Sequence, residues 1–282
     1  MSKKFFVLAL VIAALTVPAH AGDSVSPSDL YDDGAGYTRR AIVPVAGSAP
    51  GAYGAMFKTA LTLRTEAFAT GSTQIHRGRI WFRPMGQPPS DNDPSIAYHL
   101  ASGERAHWDD VVAAMGGSGI GYLEIIPDAG SLEAVPFIQT RVYNETASGT
   151  YGDLVQWNRV SDVTKTSRTT LRVEHPTDPR LRLNVGFVVL NTGYTDVHVE
   201  VVRNGLQRQA KTVHLFPREA RMGNPATLFE LLRWEPGDEL FLTFTSSGVI
   251  PFYTLTDNST NDPAIVVQPA PSEQRSLDPR AN

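Results

Sequence analysis

The chain has 282 residues, with 25 Lys and Arg against 29 Asp and Glu, a net charge of −4 at neutral pH, and no cysteine. The acidic balance speaks against nucleic acid, which calls for a basic footprint. The lack of cysteine excludes disulfides, thiolate zinc, iron–sulfur clusters and thiol nucleophiles, and a chain this long can bury enough apolar surface to do without such staples.

The first segment, "MSKKFFVLALVIAALTVPAHAGDS", opens with Lys3 and Lys4 and continues with an apolar run from Phe5 to Val17. The small residues Ala19 and Ala21 then flank His20. This is the pattern of a secretory signal, residues 1–21, with cleavage expected after Ala21. The apolar run is shorter than the roughly 20 residues of a bilayer span. No membrane span is expected once the signal is removed, and the destination is the periplasm or the exterior. Residues 22–40 are rich in Gly, Ser and Asp and read as a flexible arm.

From Ala41 onward the pattern is strand after strand. The first set is "AIVPVAG" at Ala41, "MFKTALTLRT" at Met56, "GRIWFRP" at Gly78, "SIAYHL" at Ser95, "IGYLEII" at Ile120 and "AVPFIQTRVYN" at Ala134. A polar stretch, residues 152–166, reads as a linker. The second set is "TTLRVEH" at Thr169, "LNVGFVVLN" at Leu183, "TDVHVEVVRN" at Thr195, "AKTVHLF" at Ala210, "DELFLTF" at Asp238 and "GVIPFYTLTDN" at Gly248. The segments are short, rich in Val, Ile, Thr, Phe and Tyr, and bounded by turn residues. Short helical turns are expected in "HWDDVVAAM" and "PATLFELL", the second capped by Asn224 with Pro225 at its first position. Residues 269–282 carry Pro and almost no apolar content and read as a disordered tail.

The two sets resemble each other. "HLASGERAHWDDVVAAM" (99–115) lies opposite "HLFPREARMGNPATLFEL" (214–231), which sets Glu104 against Glu219. "FIQTRVYNETASG" lies opposite "PFYTLTDNSTNDP", and "FKTALTLRT" opposite "LRLNVGFVVLN". The first copy is longer through "MGQPPSDNDP" (85–94), a loop insertion. The expected fold is all-β: two tandem antiparallel β-sandwich (immunoglobulin-like) domains related by internal duplication, at 41–151 and 167–268.

The blocks "IVPVAG…FKTALTLRT", "WDDVV", "GYLEI", "QTRVYNETASGTYGDLVQ" and "FYTLTDNSTNDPAIV" resemble the units of secreted bacterial proteins built from tandem sandwich domains. The resemblance covers residues 41 to 268. It implies fold and export, and it transfers no catalytic residue.

Candidate chemistry is sparse. "MGGSGIGYLEI" (115–125) places Ser118 among glycines. A nucleophile elbow needs Gly on both sides of the serine and a strand before it. Here Ile120 replaces the second Gly and the strand follows, so the stretch reads as a turn. "WEPGDELFL" makes the same connection in the second copy. His99 and His214 are repeat mates, expected to be half-buried at strand ends, and no histidine pair has helical zinc spacing. Carboxylate loops could hold calcium through Asp91 with Asp93, or Asp257 with Asp262. Calcium takes about six to eight oxygens, and the same residues are ordinary turn formers. Asn144 and Asn258 each head a glycosylation-type triplet that also fits a turn.

Trp81 and Trp157 are the candidates for stacking on a glycan, because a flat ring packs on a sugar face. Trp108 and Trp234 are expected to plug the ends of the sandwiches. The reading that follows is an exported non-enzymatic binding or structural protein of the bacterial envelope or exterior, contacting a protein or glycan partner. No cofactor is required, with calcium the one candidate. The alternative is a secreted hydrolase acting on polysaccharide or peptide.

Overall fold

The computed structural model describes residues 39–51, 55–66, 75–128, 135–146, 149–164 and 168–268. The expected signal, the arm up to residue 38 and the tail lie outside the described residues.

The first set of elements is β1 (Ala41–Pro50), β2 (Met56–Arg64), β3 (Ile75–Pro84), β4 (Ser95–Ala101), β5 (Arg105–Trp108), α1 (Val111–Ala114), β6 (Gly119–Pro127), β7 (Phe137–Thr146) and β8 (Gly149–Val155). A short β9 (Asn158–Arg159) and α2 (Val160–Thr164) lead to the second set. That set is β10 (Thr169–Glu174), β11 (Leu181–Val189), β12 (Thr195–Arg203), β13 (Leu206–Leu215), β14 (Ala220–Gly223), α3 (Pro225–Leu228), β15 (Glu239–Phe244), β16 (Val249–Asp257) and β17 (Pro263–Val267). The described chain is all-β, its sheets are antiparallel, and they do not close into a barrel.

In the second set two four-stranded sheets run β10-β15-β12-β13 and β14-β11-β16-β17. Each of these strand pairings has a counterpart in the first set, where β4-β3-β6-β1 and β5-β2-β7-β8 are the corresponding orders. The first set differs because β1 reaches both sheets. Its start pairs with β6 and its end with β2, through Ala49 opposite Phe57. The β1–β6 register shifts between Val43 and Ala46, at Pro44, which has no N–H to give to a ladder.

The local turns follow the residues. Asp110 accepts from the Ala113 N–H and caps α1, and Asn224 accepts from the Ala226 N–H ahead of Pro225. Gly116 after α1 and Gly237 before β15 have positive φ, at 75° and 84°, a region glycine enters without penalty. The glycine-rich stretch is therefore a turn at its start, Met115 to Ser118, and enters β6 at Gly119.

Two buried cores hold the layers. One is shared by the two sheets of the second set, through Leu171, Val185, Phe187, Val199, Leu242 and Phe244. The other combines Ile42, Leu61, Phe82 and Leu123 of the first set with Val188, Ile250, Phe252 and Ile265 of the second. The sheet β14-β11-β16-β17 is thus buried on both faces. Val185, Phe187 and Val189 point to its own core, and Val188 points to the first set. This is why "GFVVL" is continuously apolar where a one-sided strand would alternate.

Two boundaries differ from the sequence expectation. Arg40, the last residue of the expected arm, is 1% exposed and ion-paired to Glu124. Of the expected linker 152–166, the described part up to residue 164 carries the end of β8, β9 and α2, and Val160 and Val163 join the core. Polar neighbours masked these anchors, since a short segment needs only two apolar side chains to dock.

Candidate functional site

The outer face of β4-β3-β6-β1 is covered at one end, around Arg83 and Glu124, while Arg77, Arg79, Ala97 and His99 on it stay exposed. Arg83 on β3 donates from Nε to Glu124 Oε2 at 3.0 Å, and Arg40 Nη1 donates to Glu124 Oε1 at 2.8 Å. Arg83 Nη1 also donates to Ser90 O at 2.7 Å and Asp93 Oδ2 at 2.9 Å. The inserted loop 85–94 is thereby drawn down over the sheet, and its Gly86 N–H donates to Ala220 O of β14 at 2.9 Å. Two guanidiniums and two carboxylates balance in charge, which is what makes this burial tolerable.

The outer face of β10-β15-β12-β13 carries no such covering loop. Its side chains alternate with the core residues and stand half-exposed or exposed. Along β12 and β13 they form successive cross-strand pairs. Asp196 faces His214, His198 faces Thr212, and Thr243 of β15 lies beside His198. His214 Nδ1 is hydrogen-bonded to Asp196 Oδ1 at 2.5 Å and His198 Nδ1 to Thr212 Oγ1 at 2.9 Å. One step beyond the last pair, Tyr194 and Phe216 meet with ring centroids 5.7 Å apart. They are 71% and 56% exposed. Exposed aromatics next to one another, continuous with a row of hydroxyl, imidazole and carboxylate groups, form a surface with both stacking and hydrogen-bonding capacity.

The sequence candidates fall elsewhere. Trp81 lies half-buried on the partly covered face, with the guanidiniums of Arg79 and Arg83 at 5.7 and 4.6 Å from its ring centroid. Trp157 packs against the first core with Arg159 beside it. Trp108 also packs on that core, and Trp234 packs on the second with the His175 ring at 4.9 Å. His99 and His214 are exposed on outer faces, not half-buried at strand ends: their strands are edges, and both residues are at positions that point away from the core.

Asp93 is occupied by Arg83 and by the Ser90 N–H at 2.9 Å. Asp91, two residues before it, has no part in that pair of contacts. Asp257 accepts from the Ser259 hydroxyl and from the Ser259 N–H, the latter at 2.7 Å, and these bonds, the hydroxyl's first, hold its carboxyl below the usual range. Asp262 meets it through backbone, with the Asp257 N–H donating to Asp262 O at 3.1 Å. Among the described residues no group of three or more His, Asp or Glu side chains converges on a metal position, and no helix is long and apolar enough to cross a membrane.

Sequence reasoning missed Tyr194 and Phe216 because it weighed only tryptophans. The available signal was an aromatic in each of two turns, "NTGYTD" and "HLFPRE", that end strands pairing with each other. No family model, no curated protein and no solved structure matches this chain.

Proposed function

We propose that the chain is an exported, non-enzymatic binding protein of the bacterial envelope or exterior, and that the outer face of β10-β15-β12-β13 contacts a glycan. The observation that carries this is the exposed pair Tyr194 and Phe216, continuous with Asp196, His214, His198 and Thr212. Rings stack on the apolar faces of sugars while the polar row meets their hydroxyls. The N-terminal pattern of residues 1–21 supports export, and N-terminal sequencing of the exported protein should begin at Gly22.

The two sets are proposed to be immunoglobulin-like sandwiches that arose by duplication. Support comes from the matching strand orders. It also comes from Glu104 and Glu219, whose carboxylates accept from the N–H three residues before each, of Ala101 and Phe216, both at 2.7 Å.

The test is co-sedimentation of the purified protein with a panel of insoluble polysaccharides, repeated with Tyr194→Ala and Phe216→Ala. Retention by one polysaccharide that both variants lose supports the reading. Retention by none, or retention indifferent to both variants, rejects it, and a protein captured through the same face would replace the glycan as partner. The hydrolase alternative has one observation: Glu174, His175 and Asp178 border a cleft of about 360 Å³. Release of soluble products from a polysaccharide or peptide, abolished by Glu174→Gln, would favour it.

A further inference from the structure

Between the two sets of sheets lies a partly open cavity of about 330 Å³. Its walls differ in chemistry. The first set supplies an apolar wall that includes Ala46, Phe57, Ile120 and Val142. The second set supplies apolar Met222, Pro263 and Ile265 and, from two neighbouring strands, a polar wall: Asn184 faces Thr254 and Arg182 faces Thr256 across β11 and β16, and all four line the cavity. These positions are on the same face as Val188 and Phe252, which continue the sheet into dry core.

The polar wall sits in a largely buried surface. Thr254 and Thr256 are 6% and 4% exposed. Their side chains and that of half-buried Asn184 line the cavity, and none of the three belongs to the buried polar groups sealed away without a partner. Polar groups that line a partly open, mainly apolar cavity are placed to meet the head group of a ligand. Along the same face the strands continue as Gly186 opposite Phe252 and Val188 opposite Ile250, so the polar groups stop where the dry core begins. At the mouth, exposed Arg182 is held by Nη1 donating to Asn258 Oδ1 at 3.1 Å, which leaves most of its fork of donors open.

We propose that this cavity binds a small amphiphilic carboxylate, its aliphatic chain along Ala46, Phe57, Ile120 and Val142 and its head among Thr254, Thr256, Asn184 and Arg182. The volume lies in the range of small-molecule pockets, about 300–1,000 Å³, and an apolar lining with a few convergent polar groups is the composition of such sites. The guanidinium matches a carboxylate in charge and in planar donor geometry. The site is independent of the outer face of β10-β15-β12-β13.

The experiment is calorimetric titration of the full chain with octanoate, and with octanol as the neutral counterpart. Saturable one-to-one binding of octanoate is expected. Arg182→Ala and the isosteric Thr254→Val should each weaken it about tenfold, the worth of one net hydrogen bond. Ala46→Phe, which fills the cavity from the apolar side, should abolish it. Octanoate that does not bind would mean the polar wall is met by water alone and overturns the proposal. Binding that survives Ala46→Phe and Thr254→Val unchanged also overturns it, and so does octanol binding as tightly as octanoate. If Ala46→Phe does not fold, the Thr254→Val result decides.

Discussion

Gly186 and Phe252 face each other across β11 and β16, and a Cβ on Gly186 would stand 2.2 Å from Phe252 Cζ. The ring lies flat over the glycine on the face that meets the first set of sheets, and Phe252 is fully buried there. A phenylalanine buried in this way contributes about 1.5–3 kcal/mol. The glycine is what lets the ring lie down, so the contact between the two sets depends on an absent side chain.

Gly186→Ala should therefore push the ring off the sheet and destabilise the protein by about 1–3 kcal/mol, the usual cost of overpacking. Urea denaturation measures it. Adding Phe252→Leu should recover part of the loss, and a double-mutant cycle with no coupling would refute the steric account.

Glu124 is the shared acceptor of Arg40 and Arg83, and all three side chains are buried. Glu124→Gln should cost about 3–5 kcal/mol, because it leaves two buried guanidiniums short of charge. The cost should show in equilibrium unfolding. A loss under 1 kcal/mol would mean water reaches the network.

Asp93 ties loop 85–94 to Arg83. Asp93→Asn should release the loop, with limited proteolysis cutting within 85–94 faster than in the parent. Calcium and chelator should leave the melting temperature of the parent unchanged, since a bound ion would stabilise the fold by mass action. A rise in melting temperature with calcium would restore Asp91 and Asp93, or Asp257 and Asp262, as ligands.

Asp178 accepts from Arg180 through both side chain and backbone, which lowers its carboxyl from 3.8 to about 2. Its folded pKa is depressed, so its contribution to stability is complete above the ordinary value and is lost as pH falls toward about 2. Both groups are at the surface, so added salt should shrink the effect. A carboxyl titration followed by NMR should find the midpoint low in the parent and returned toward 3.8 in Arg180→Ala.

Much of the architecture was legible because it is local. Alternation in "TDVHVEVV" and "TTLRVE" marks half-buried strands, and both segments are strands with that burial pattern. Asn224 and Pro225 announced α3. The match of Glu104 with Glu219 corresponds to one repeated turn contact. The site was not legible in the same way. Trp81 and Trp157 were conspicuous by type, yet one lies under guanidiniums and the other against a core.

By itself the amino-acid sequence determined the strands and their turns, since each rests on periods and caps within a few residues. Tertiary structure alone decided which faces are covered. Arg83, Glu124 and Arg40 lie far apart in the chain and become a buried network only when β1, β3 and β6 are neighbours. Tyr194 meets Phe216 only through the register of β12 and β13. The cavity with its polar wall exists only where two sheets from different halves face each other. Strand periodicity says which side chains share a face; it carries no information on what the rest of the chain lays over that face.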